Sequence, residues 1–160
     1  MNRNISKFAA VSLFVFAAGC GGDPIIGRWK ADFRSALGPG AAFVASSDVI
    51  LEFRGDRTVG FSLETEVLPT AAQNANCRSL IVFTGITWTT SQTGAVNTLN
   101  LSASTGGTEG RTNCTNPNDN LATTPTMGTG AMASMSTYSI TGNMLVINNM
   151  GGTATTLTRQ

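Results

Sequence analysis

The stretch IIGRWKADFR, residues 25–34, decides the fold class. Ile25, Trp29, Ala31 and Phe33 share one side of an extended chain, while Arg28, Lys30, Asp32 and Arg34 share the other. Successive side chains of a β-strand point to opposite faces, so this split describes a half-buried antiparallel strand.

The same period of two recurs along the chain. In DVILEFRGDRTVGFSLETEV, residues 48–67, Val49, Leu51 and Phe53 face one way. Gly55-Asp56 supplies turn chemistry, and Val59, Phe61 and Leu63 resume the pattern. SLIVFTGITWTT, residues 79–90, is a continuous apolar run broken by Gly85, after which Ile86 and Trp88 share a face. Leu99, Leu101 and Ala103 alternate in NTLNLSAS, residues 97–104. Gly142-Asn143 and Gly151-Gly152 mark two tight hairpins joining the last three strands. Two tracts interrupt the pattern. Residues 35–47 read as a loop or short helical crossing, and residues 102–136, rich in Gly, Thr, Asn and Ser, read as one long flexible loop. The expectation is an all-β fold: an up-and-down antiparallel β-barrel of about eight to ten short strands, with a β-sandwich as the alternative.

The start of the chain has a different character. Arg3 and Lys7 precede an apolar run, Phe8–Ala18, of 11 residues. Crossing a bilayer takes about 20 apolar residues, so the run is too short to span and reads as a secretory signal. Ala17-Ala18-Gly19-Cys20 resembles the lipobox of bacterial lipoproteins. The resemblance implies removal of residues 1–19, lipid attachment at Cys20 and a short linker over residues 20–24. Residues 25–160 then form the folded domain, and the N-terminal lipid makes the membrane a partner. Gly21 stands where a retention aspartate would keep such a protein in the inner membrane, which implies the outer membrane.

Composition narrows the function. Without Arg3 and Lys7, eight basic residues face nine acidic ones, a balance that argues against nucleic acid and polybasic lipid binding. Cys77 and Cys114 remain after lipidation of Cys20, and an oxidising compartment favours their disulfide. The chain has no histidine, so Ser-His-Asp and Cys-His nucleophile arrangements are excluded and no cofactor is implied. Glu64 and Glu66 share a strand face with Ser62, as a solvated outer surface does. Met127, Met132 and Met135 admit a Cu(I) reading, weighed against packing of a loop near a barrel mouth. Gly106, Gly107 and Gly110 lack the strand-to-helix context of a phosphate cradle.

DPIIGRWKAD, residues 23–32, resembles the opening strand of lipocalin-like domains of bacterial lipoproteins, with Gly27-Arg28-Trp29 as their G-x-W. LEFRGDRTVGF resembles the F-x-x-D/N-G-T hairpin, and YSITGNMLVI resembles the penultimate Y-x-I-x-G-x-x-L hairpin. The resemblance implies that Trp29 closes one barrel end against Arg159 of the last strand. Phe53, Phe61, Phe83 and Trp88 are then inward aromatics that fill the barrel or line an apolar pocket. Two functions follow as expectations. One is a non-enzymatic envelope module binding a small apolar or amphipathic molecule. The other is the same barrel with a packed core, serving as an interaction or inhibitor protein toward an envelope partner.

Overall fold

The computed structural model describes residues 22–34, 42, 44–68, 77–125, 133–149 and 152–160. Cys20 and the whole lipoprotein-like leader lie outside these residues, as do Met127 and Met132. Ten strands are present among them: β1 Gly27–Asp32, β2 Val44–Phe53, β3 Thr58–Val67, β4 Arg78–Thr93, β5 Val96–Leu101, β6 Gly106–Thr112, β7 Leu121–Pro125, β8 Ser134–Thr141, β9 Met144–Asn149 and β10 Ala154–Arg159. Eight of them close antiparallel in the order β3-β2-β1-β10-β9-β8-β5-β4, with β4 returning to β3. The fold is therefore an up-and-down β-barrel, and closure removes the exposed edges that an open sheet would carry.

Closure depends on a change of parity in β4. Ile81 and Phe83 point inward, and so do Ile86 and Trp88, which lie an odd number of residues further on. The ladder to β3 slips between Val59 and Phe61, opposite Thr84 and Gly85. Gly85 absorbs the slip with φ +71°, a conformation unfavourable to residues with a Cβ. The extra residue lets one 16-residue strand serve the barrel wall at both levels.

The tract expected to be one long loop at 102–136 is not one. It holds β6, a 3-10 turn at Pro117–Asp119, β7 and the start of β8. The reason lies in the length of β4, whose second half pairs with β5 while its first half leaves an edge that β6 takes. β7 then pairs with β6 outside the closed barrel. Cys77 and Cys114 form a disulfide across the end of this β4–β6 ladder, next to the paired residues Arg78 and Thr112. Residues 44–47 of the other interruption belong to β2.

The core is uneven along the barrel axis. The largest fully buried side chains are Ile25, Trp29, Phe53, Ile86, Trp88, Leu99, Leu145 and Leu157. Most gather toward the end carrying the 54–57 and 142–143 turns. Each contributes about 1.5–3 kcal/mol relative to exposure, so this end supplies most of the apolar stabilisation. Toward the other end the inward residues Phe61, Leu63, Ile81 and Leu101 are only partly buried.

Candidate functional site

The filled end is closed by two arginine–tryptophan stacks. Arg159 comes from β10, where it shares the inward parity of Leu157 and pairs with Trp29 in register. Its guanidinium carbon lies 4.2 Å from the centre of the Trp29 ring. The same group donates to Ile26 O at 3.0 Å and Pro24 O at 2.7 Å, while Trp29 Nε1 donates to Ile25 O at 2.7 Å. The N-terminal segment is thereby drawn across the barrel end, with Ile25 wholly buried.

The second stack has no counterpart in the sequence reading. Asp56 accepts from Thr58 N at 2.9 Å and Thr58 Oγ1 at 2.6 Å, and these bonds hold its carboxyl below the usual carboxylate range. The resulting turn leaves Arg57 at φ 68°. In that conformation its guanidinium lies 4.3 Å from the Trp88 ring centre and 3.4 Å from Asp23 Oδ2. Asp23 also accepts from Thr90 Oγ1 at 2.9 Å. Nearby, burial and then the negative charge of Asp23 push the Tyr138 hydroxyl above its ordinary pKa, opposed by its hydrogen bond with Thr90.

Among the described residues, nothing closes the opposite end. A cavity of about 310 Å³ lies inside it. Its walls are apolar on β2, β3, β5 and β10 through Val49, Leu51, Phe61, Leu63, Leu99, Leu101 and Leu157, with Phe33 at the rim. A polar strip runs down one side through Ser134, Ser136, Asn149 and Thr155. Ser136 is buried and its Oγ donates to Asn149 Oδ1 at 2.9 Å. The volume sits at the lower end of the range for small-molecule sites, about 300–1,000 Å³.

Of the four aromatic candidates, Phe61 lines this cavity. Phe83 packs beside it in an edge-on pair with ring centres 5.1 Å apart. Phe53 and Trp88 form a second edge-on pair, 5.6 Å apart, within the filled end. Filling and lining both occur, at different depths. Parity identified the inward residues, but depth depends on strand stagger, which alternation does not encode. The polar strip was missed for that reason: Ser134, Ser136 and Asn149 continue the inward faces of β8 and β9 beyond their apolar residues.

A second cavity, about 380 Å³, lies along the outside of β3, β4, β6 and β7. Leu80, Val82 and Leu121 line it, flanked by Glu64 and Arg78. Those two form an ion pair at 2.6 Å, which accounts for Glu64 as part of a solvated outer surface. Met135 is 49% exposed and outward on β8. No protein-family model, curated protein or solved structure matches this chain.

Proposed function

We propose that this chain is a lipid-anchored, lipocalin-like barrel of the bacterial envelope that holds a small apolar or amphipathic molecule in its open end. The observation that carries the reading is the 310 Å³ cavity inside the barrel, apolar on most of its wall and backed by a filled, stacked end. Apolar walls provide the driving force, and a few convergent polar groups fix orientation. The chemistry is binding, without a catalytic role for any side chain.

The anchor reading rests on Arg3, Lys7, the Phe8–Ala18 run and Ala17-Ala18-Gly19-Cys20, with Gly21 favouring the outer membrane. Asp23, three residues after Cys20, is tied to Arg57 and Thr90 at the closed end. An extended chain spans at most about 3.3–3.6 Å per residue, so a lipid on Cys20 holds the closed end within about 10 Å of the bilayer surface. The open end then faces away from the anchoring membrane, and ligand exchange occurs on the aqueous side.

Native mass spectrometry of the purified protein tests the binding reading, with a co-purifying small molecule as the expected result. A protein that is always empty, with an interior no apolar probe enters, supports a second reading: an interaction or inhibitor protein. The outer groove favours that alternative, because Leu80 is 41% exposed there beside a charged pair, a combination suited to an envelope protein partner. Replacing Cys20 by serine and following detergent partitioning tests the anchor separately.

A further inference from the structure

The charges of this molecule are distributed unevenly between its two ends. Asp23, Arg54, Asp56, Arg57 and Arg159 gather at the closed end, where the turns and the N-terminal crossing lie. Among the described residues, none that lines the open-end cavity is charged.

The charged residues nearest the rim are occupied or turned away. Asp32 is exposed at the end of β1, on the face opposite buried Ala31, and accepts from Arg34 N at 2.8 Å; Arg34 is itself engaged. Lys30 pairs with Asp48 at 3.0 Å, and Arg78 with Glu64 at 2.6 Å on the outer surface. Glu66, in register with Arg78, is exposed. Glu109 and Arg111 share the register face of Ile81 and Ser79 on the extension, and they neutralise one another at 3.3 Å.

Resting on the reading that the open end holds a small molecule, we infer that its ligand is an uncharged amphiphile whose hydroxyl, ester or amide head sits on the Ser134, Ser136, Asn149 and Thr155 strip. Hydroxyls and a side-chain amide present both donors and acceptors without net charge. The Ser136–Asn149 bond leaves the Asn149 amide free to donate and the Ser136 oxygen free to accept. A carboxylate or ammonium brought against buried Ser136 loses hydration on that side and meets no opposite charge among the described lining residues. The chain of such a ligand lies against Leu51, Leu99 and Leu157, the buried part of the wall.

The test is displacement of the neutral fluorophore N-phenyl-1-naphthylamine from the purified protein by three probes of equal chain length: decanol, decanoate and decylammonium, at neutral pH. Decanol is expected to displace the fluorophore at about tenfold lower concentration than each ion, the size of a modest uncompensated desolvation. Equal or better displacement by an ion overturns the inference while leaving the pocket intact. Absence of fluorophore binding overturns the pocket reading itself. Ser134→Lys, at an exposed position on the rim, is expected to raise the affinity for decanoate about tenfold and not that for decylammonium. A variant that leaves decanoate unchanged contradicts the placement of the head on this strip.

Discussion

Arg159 covers Trp29 at 4.2 Å while its guanidinium spans the carbonyl oxygens of Pro24 and Ile26. One side chain therefore joins the last strand, the first strand and the segment that crosses the closed end. Arg159→Ala is expected to lower stability by about 2–4 kcal/mol, combining a cation–π contact with hydrogen bonds from a charged donor. Arg159→Lys should recover part of this, because an ammonium can stack but cannot bridge both carbonyls in one plane. Urea unfolding of the two variants checks the order.

Among the described glycines, Gly85 leaves the least room for a Cβ, which would run into the Thr105 side chain, its Oγ1 first. A Cβ at Gly85 would come within 2.8 Å of both Thr105 Cβ and Cγ2, and the residue sits at φ +71°. Gly85→Ala is expected to cost about 2–4 kcal/mol, from backbone strain and from the clash. Thr105→Gly in the same chain should relieve the clash and leave the strain. The double variant is therefore expected to be more stable than Gly85→Ala alone; a simple sum of the single effects contradicts this coupling.

Tyr138 is the one tyrosine of the chain, so phenolate absorbance reports it alone. Its folded-state pKa lies above the ordinary value of about 10, through burial first and the charge of Asp23 second. A raised folded pKa gives a contribution fully present below the unfolded pKa and lost as pH rises through the folded one. Stability is expected to decline above about pH 10, and Tyr138→Phe should flatten that decline. Asp23→Asn should move the phenolate midpoint down, toward the unperturbed value.

Much of the barrel was legible in the sequence because its outer face is wet. Arg28 and Lys30 against Trp29 and Ala31, or Leu51 and Phe53 against Glu52, leave one choice of face. Val59, Phe61 and Leu63 continue the pattern after the Gly55-Asp56 turn. The extension was hidden for the opposite reason. β6 reads GGTEGRT and buries little apolar surface, so no alternation of hydrophobic and polar residues marks it. It is a strand because β4 is long enough to offer it an edge and the Cys77–Cys114 bond holds its far end there. The candidate site was legible in composition and hidden in depth. Phe53 and Phe61 both face inward, yet one is 1% exposed in the filled end and the other lines the cavity.

The central claim is that the open half of the barrel is a binding cavity, and the most direct measurement compares N-phenyl-1-naphthylamine titrations of the wild type and Leu63→Trp. Leu63 lines the 310 Å³ cavity from β3, and the larger indole of a tryptophan there extends into it. The account predicts saturable fluorescence enhancement for the wild type and a loss of affinity of at least about tenfold for the variant, with the far-ultraviolet spectrum unchanged. Equal binding by the two proteins, or no binding by the wild type, would contradict it.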